Sequence, residues 1–105
     1  MTIDVTRQFV PGCRMIRSFK CKKTERLFSG LRVPAFSGFN RQAEKRLRIL
    51  DASETLASLK ALPSNHFEAL SGDRAGSYSI RVNMQWRVCF TWDEGACEVE
   101  IVDYH

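Results

Sequence analysis

Three segments in the second half of the chain, residues 77–82, 86–92 and 97–102, alternate apolar side chains with mostly polar ones. This period of two places the apolar side chains on one face of a β-strand. Short turns at residues 83–85 and 93–96 separate the segments and leave no room for the long crossover that parallel strands require. The pattern therefore predicts an antiparallel meander with one buried face.

The first half of the chain has helical spacing instead. Residues 22–29 predict a short helix that ends at Gly30. A second helix follows Asn40, whose side chain is a candidate N-cap, and its buried stripe has i, i+4, i+7 spacing. Ser53 is a further cap candidate, and a last apolar face then runs to Pro63. The apolar residues of these two faces are Ala43, Leu47, Leu50, Leu56, Leu59 and Leu62.

Two shorter strand candidates, residues 15–19 and 66–70, complete the set of predicted elements. Helices that precede a sheet predict an α+β fold, in which N-terminal helices pack on one face of a mostly antiparallel β-sheet. The length of 105 residues fits one domain. Residues 1–14 show no periodicity, so we predict an N-terminal extension there and a single domain over residues 15–105.

Charge is distributed unevenly along the chain, whose formal net charge is +4. Residues 14–48 carry eleven basic and two acidic side chains, whereas residues 49–105 carry four basic and nine acidic ones. Such clustering is typical both of solvated helix faces and of surfaces that bind the phosphates of nucleic acid. The cations of the basic half that we assign to RNA binding are Lys22, Lys23, Lys45, Arg46 and Arg48.

Cysteine spacing excludes the common metal and redox motifs, because no C-x-x-C pair and no zinc-type Cys/His cluster occurs. A four-residue loop at 93–96 would place Cys97 opposite Trp92 and Cys89 opposite Glu100, so Cys89 and Cys97 would not be direct partners. Free thiols are typical of a reducing compartment. The four cysteines are Cys13, Cys21, Cys89 and Cys97.

The same sequence argues against a membrane partner. No stretch approaches the ~18 consecutive apolar residues of a membrane span. The N-terminal residues also lack the apolar segment of a signal peptide. We therefore predict a cytoplasmic protein.

Polar residues at three places in the predicted sheet region are candidates for chemistry. Arg81 and Arg87 fall on the polar side of adjacent strands, Arg74 lies in a glycine-bounded turn, and residues 103–105 read Asp-Tyr-His. Cleavage of RNA by its 2′-hydroxyl needs a base, a cation for the crowded phosphorane and an acid for the leaving 5′ oxygen. These residue types can supply all three roles without a metal or a cofactor.

Four of these residues each suit one part of that reaction. His105 suits proton transfer, because imidazole titrates near neutral pH. Arg87 suits the phosphate, because its planar fork binds two oxygens. Tyr104 can stack on a base, and Asp103 can orient the histidine.

The chain also carries five short motifs. They are M-I-R-S-F at 15–19, L-S-G-D-R-A-G at 70–76, Y-S-I-R-V-N at 78–83, Q-W-R-V-C-F at 85–90 and V-D-Y-H at 102–105. In combination they resemble the HigB branch of the RelE/ParE toxin superfamily over residues 15–105.

This resemblance implies a toxin of a type II toxin–antitoxin system with a RelE-like α+β fold. Toxins of this branch cut mRNA in the ribosomal A site without a metal. The cleft arginine of the family falls on Arg87, and its terminal acid, tyrosine and histidine fall on Asp103, Tyr104 and His105. The implied partners are the ribosome, its mRNA and a helix-turn-helix antitoxin of the HigA kind, through which oligomers form.

Two positions depart from the family pattern. Glu68 stands where some members have an active-site histidine, and Ser71 stands where they have a lysine. A carboxylate can act as a general base but adds no positive charge for the phosphate. We therefore predict that Glu68 and His105 form the acid–base pair while Arg87 holds the phosphate.

Two other functions stay open at this point. One is a gyrase poison of the ParE kind, against which the D-Y-H end argues, because that mechanism does not need an acid–base histidine. The other is a protein that binds RNA or the ribosome without cleaving, which the Glu68 and Ser71 departures allow.

Overall fold

The computed structural model describes residues 16–103. Over this range it confirms the predicted α+β fold, with a four-stranded antiparallel sheet in the order β1-β2-β3-β4. The strands are β1 (Glu68–Ala69), β2 (Ser77–Arg81), β3 (Trp86–Trp92) and β4 (Ala96–Asp103). The second and third strands pair in one register from Ser77↔Thr91 to Arg81↔Arg87, so the alternation predicts both strands correctly.

Three α-helices precede the sheet in the described part of the chain. They are α1 (Lys22–Phe28), α2 (Asn40–Ala52) and α3 (Leu56–Ala61). Their apolar faces and the apolar face of the sheet form one core. The predicted stripe of α2 is fully buried, and so are Leu59 of α3 and Val88 of β3. Leu62 is the exception to the predicted apolar faces, because it lies beyond the end of α3 and is exposed.

The segment before α1 lies alongside β4. Ile16 and Phe19 form isolated parallel bridges with Ala96 and Val99. The backbone amide of Lys20 donates to the carbonyl of Val99 at 2.9 Å. The predicted strand at 15–19 is therefore a short extended segment whose described part follows the sheet edge, and it covers backbone groups that an edge strand would otherwise expose.

The hairpin between β3 and β4 differs from the prediction. Trp92 pairs with Ala96 rather than Cys97, so the loop has the three residues 93–95. The predicted pairing of Cys89 with Glu100 is nevertheless correct, because a bulge between Thr91 and Cys89 shifts the register by one. Glu98 is the extra residue and has a left-handed φ of 54°.

Two predicted helix caps are wrong. Asn40 lies inside α2, and its amide donates to the carbonyl of Phe36 at 2.6 Å while its oxygen accepts from the amide of Val33 at 3.0 Å. It therefore fixes the preceding loop rather than the helix end. Ser53 donates to the carbonyl of Ile49, and Thr55 is the residue that caps α3, by accepting from the amide of Ser58.

Asn65 links the helices to the start of the sheet. It is fully buried, its amide donates to the carbonyl of Leu59 at 3.0 Å, and its oxygen accepts from the Arg46 guanidinium at 2.8 Å. The Asn65→Ala variant removes both of these hydrogen bonds, the one to the carbonyl of Leu59 and the one from the guanidinium of Arg46. We expect its free energy of unfolding to fall by about 1–3 kcal/mol in urea denaturation.

The neighbouring Ser64→Ala change is the control, because Ser64 is exposed and its contact with Arg46 is long, at 3.4 Å. Its effect should stay within about 0.5 kcal/mol. Equal stabilities of the two variants would contradict a structural role for Asn65.

No helix within residues 16–103 is both long enough and apolar enough to cross a membrane. The predicted extension, residues 1–14, lies outside the described residues, as does Met15.

Candidate functional site

One face of the sheet is turned away from the core, and we call it the polar face. Side chains directly opposite each other on antiparallel strands lie on the same face. The strand registers therefore assign one set of residues to this face. The set comprises Glu68, Ser77, Ser79, Arg81, Arg87, Cys89, Thr91, Cys97, Glu100 and Val102.

Arg87 is held rigidly on this face. Its side chain is 9% exposed, and Nε donates to the hydroxyl of Ser79 at 2.7 Å. Nη2 donates to the backbone carbonyl of His66 and, at 3.4 Å, to the carbonyl of Ser79. These contacts fix the plane of the guanidinium, which is the preorganisation that a phosphate-binding arginine needs.

Glu68 lies beside this arginine. Its Oε1 is 3.9 Å from Nη2 of Arg87, and its side chain is 57% exposed. His66, two residues before Glu68, has a left-handed backbone with φ of 44°, which is uncommon for a residue other than glycine. That conformation accompanies the contact of its carbonyl with Arg87. The predicted neighbours Glu68 and Arg87 are therefore brought together, with the carboxylate open to solvent.

Arg81 lies directly opposite Arg87 on the neighbouring strand. It is partly exposed, and none of the hydrogen bonds or ion pairs found within residues 16–103 involves its side chain. Two like charges at paired positions are unfavourable by themselves. Phosphates bound at the two guanidinium groups would offset that repulsion.

The third predicted cation of this region, Arg74, is part of an ion-pair cluster. Its Nη2 lies 3.1 Å from Oε2 of Glu100, and Nζ of Lys20 lies 3.7 Å from the same oxygen. The hydrogen bond to Glu100 raises the pKa of Arg74. Lys20, Arg74 and Glu100 line a cavity in the polar face together with Cys89.

The structure separates Asp103 from Arg87. Asp103 pairs with Trp86, whereas Arg87 pairs with Val102, so the two side chains leave the sheet on opposite faces. The Asp103 carboxylate instead accepts from the side-chain amide of Gln85 at 2.9 Å. The other two members of the predicted terminal group, Tyr104 and His105, lie outside the described residues.

The helix cations that we assign to RNA binding differ in their exposure and in their contacts. Lys22, Lys23 and Lys45 are exposed. Arg46 instead contacts Asn65, and burial lowers its pKa. Arg48 is 3.0 Å from Glu44 and donates to the carbonyl of Phe28. Arg46 and Arg48 therefore also hold parts of the helical layer together, although the Arg48 side chain stays exposed.

Sequence reasoning missed four residues of the polar face. Ser79 orients Arg87, and Lys20 and Glu100 form the cluster with Arg74. Cys89 lines the same cavity, and burial raises the pKa of its thiol. The register of β2 with β3 could have identified Ser79. Nothing in the pattern places Lys20, which reaches the face from the segment beside β4.

Within residues 16–103, no group of three or more His, Cys, Asp or Glu side chains is arranged to hold a metal ion. The chemistry of the described polar face is that of two arginines, a solvent-exposed carboxylate and a mixed-charge cavity.

Comparison with known families gives a match over most of the chain. A family model described as "RelE-like toxin of type II toxin-antitoxin system HigB" matches residues 17–105. This range contains every predicted site residue.

Two individual proteins are similar over a shorter region. "Toxin HigB-1" of Vibrio cholerae is 41% identical over 61 residues, which are 58% of this chain and 64% of that protein. An uncharacterised protein of Haemophilus influenzae is 33% identical over 61 residues, 58% of this chain and 60% of its own length. The match therefore spans just under two thirds of each relative.

Proposed function

Because the chain belongs to the HigB-like family of RelE-like toxins of type II toxin–antitoxin systems, we propose that it is a ribosome-dependent mRNA endonuclease that inhibits translation. The observation that carries this proposal is the Arg87 site. A guanidinium fixed by Ser79 and the carbonyl of His66 lies 3.9 Å from an exposed carboxylate on a sheet face turned away from the core. The site therefore combines a group that can bind phosphate, Arg87, with a candidate general base, Glu68.

The proposed reaction starts at the RNA 2′-hydroxyl. Glu68 takes its proton, the 2′ oxygen attacks the adjacent phosphorus, and the P–O bond to the 5′ oxygen breaks. Arg87 stabilises the negative charge that builds up on the phosphorane. His105 donates a proton to the leaving 5′ oxygen. The reaction requires no metal.

The remaining predicted residues have supporting roles in this proposal. Tyr104 stacks on a base of the substrate, and Arg81 binds an RNA phosphate on the far side of Arg87. Asp103 lies on the opposite face from Arg87, so we assign it a positioning role at the end of β4 through its contact with Gln85.

Membership of a type II system implies an antitoxin partner. We propose that this partner is a helix-turn-helix protein of the HigA kind and that oligomers form through it. We further propose that the exposed lysines Lys22, Lys23 and Lys45 contact ribosomal RNA and that the protein acts in the cytoplasm, where ribosomes are.

The proposal is tested by adding the purified full-length protein to mRNA with and without programmed ribosomes, and in parallel to DNA gyrase on supercoiled plasmid. We expect cleaved mRNA only when ribosomes are present. Cleaved plasmid trapped on gyrase with intact mRNA would support a gyrase poison. Inhibited translation with intact mRNA would support a binder that does not cleave.

Glu68 can be tested separately from Arg87. The Glu68→Gln variant keeps the size of the side chain but cannot accept the 2′ proton. We expect ribosomal mRNA cleavage to slow by about 100-fold, at the lower end of what general base catalysis contributes. Single-turnover rates on programmed ribosomes measure the effect.

Asp73→Asn is the matched control, because it neutralises an exposed carboxylate in the turn before β2. Its rate should match that of the wild type. If Glu68→Gln cleaves as fast as Asp73→Asn, Glu68 is not the base.

A further inference from the structure

A cavity of ≈ 140 Å³ opens on the polar face close to Arg87. Cys89 lines it and lies two residues beyond Arg87 on β3, a step of ~7 Å along a strand. Successive nucleotides of an extended RNA strand are separated by a distance of this order. On this spacing, the nucleotide next to a phosphate bound at Arg87 can reach the cavity.

The size of the cavity fits one aromatic ring. A protein cavity of about 150 Å³ with an apolar lining holds a benzene molecule. Here the lining is polar, with the hydroxyls of Ser77 and Thr91 and the charged groups of Lys20, Arg74 and Glu100. A ring that enters must carry hydrogen-bonding groups of its own.

The charges of the lining balance. Lys20 and Arg74 are matched by Glu98 and Glu100. The Cys89 thiol adds no charge at neutral pH, because burial raises its pKa. A lining of this kind offers both donors and acceptors, and its balance of charge disfavours a phosphate relative to a neutral polar ligand.

We propose that this cavity binds one nucleobase of the RNA substrate, adjacent to the cut. Glu100 accepts a hydrogen bond from the exocyclic amine of the base, and Arg74 donates to a ring acceptor. Cytosine and adenine present such an amine, whereas uracil presents a carbonyl at the corresponding position. The proposal rests on the proposed function, since it takes RNA to be the ligand, and it assigns a preference for cytosine or adenine over uracil.

The test uses the full-length protein and three fluorescent 2′-O-methyl hexanucleotides, of cytidine, adenosine and uridine. The methyl group blocks attack by the 2′ oxygen, so binding is measured without cleavage. We expect the Kd for hexacytidine and for hexaadenosine to be about tenfold lower than for hexauridine, within the range that one base-reading pair provides.

The Glu100→Ala variant removes the acceptor and one negative charge. We expect it to bind all three oligonucleotides with one affinity, and hexauridine at least as tightly as the wild type does. Glu100→Gln keeps the size and an acceptor oxygen but not the charge. Its preference should fall to about threefold, because hydrogen bonds to ionised acceptors are roughly twice as strong as neutral ones.

Glu44→Ala is the matched control. Glu44 pairs with Arg48 at 3.0 Å, much as Glu100 pairs with Arg74 at 3.1 Å, but it lies on α2. This variant loses the same charge and also releases an arginine. It should keep the tenfold preference of the wild type.

Equal binding of the three oligonucleotides by the wild type, or a preference that survives in Glu100→Ala, would overturn the proposal. If Glu100→Ala does not fold, Glu100→Gln is measured instead, and an undiminished tenfold preference in that variant would also overturn the proposal. If the wild type shows no preference and Glu100→Ala binds all three oligonucleotides more tightly by the same factor, the cavity is a phosphate site. Cleavage of unmodified mRNA is measured separately, so its absence would count against the proposed function and not against the base site.

Discussion

The Arg87→Ala variant is expected to cleave mRNA on programmed ribosomes about 100- to 1000-fold more slowly than the wild type, the loss typical of removing one preorganised group that stabilises transition-state charge. Arg87 is buried and bonded to Ser79 and to the carbonyl of His66. Its position is therefore set before RNA binds.

Two further variants separate catalysis from folding and from general electrostatics. Arg87→Lys keeps the charge but loses the planar fork, so it should remain at least tenfold impaired. Arg81→Ala removes the opposing arginine and should slow cleavage by less than tenfold, as expected for a phosphate contact outside the reacting group. Thermal melting checks that each protein is folded. A folded Arg87→Ala variant with wild-type cleavage would remove Arg87 from the mechanism.

The largest expected loss of stability is that of Leu47→Ala. Leu47 is fully buried in the middle of α2, between the helical layer and the sheet. Truncation of a buried leucine removes its transfer free energy and leaves a cavity, so the free energy of unfolding should fall by about 2–5 kcal/mol. This is a large part of the ~5–15 kcal/mol that stabilises a typical domain.

Lys45→Ala provides the comparison on the same helix. Lys45 is exposed, and alanine is the better helix former, so the free energy of unfolding should change by no more than about 0.5 kcal/mol. Urea denaturation of both variants measures the difference. A Leu47→Ala protein as stable as Lys45→Ala would mean that α2 does not pack as described.

The fold follows from the sequence wherever burial imposes a period. The stripe of Ala43, Leu47 and Leu50 and the alternation of β2 and β3 each place apolar side chains on one face, and the structure buries them. The bulge at Glu98 could not be predicted, because a polar residue between Cys97 and Val99 is what regular alternation also gives. The parallel bridges of Ile16 and Phe19 with β4 join distant parts of the chain, and no local pattern encodes them.

The site was predictable to the extent that residues share one strand face. Arg81 and Arg87 lie on the same face of adjacent strands, as the alternation predicts, and the short strand β1 brings Glu68 to Arg87. The position of Asp103 could have been recognised, because it lies two residues after the core residue Ile101 on the same strand and therefore on the same face of the sheet. Lys20 and Glu100 could not be joined to Arg74 from the sequence, since their contact depends on which segment lies beside β4.

The most direct test of the central claim is the chemistry of the cut ends of the mRNA. Attack by the 2′-hydroxyl, with Arg87 at the phosphate, leaves a 2′,3′-cyclic phosphate on the upstream fragment and a 5′-hydroxyl on the downstream fragment. Mass spectrometry of fragments from programmed ribosomes should find these two ends with the wild type, and with Arg87→Ala the same ends should form at least about 100-fold more slowly. Fragments that end in a 3′-hydroxyl and a 5′-phosphate, or mRNA left intact by the wild type, would contradict the mechanism.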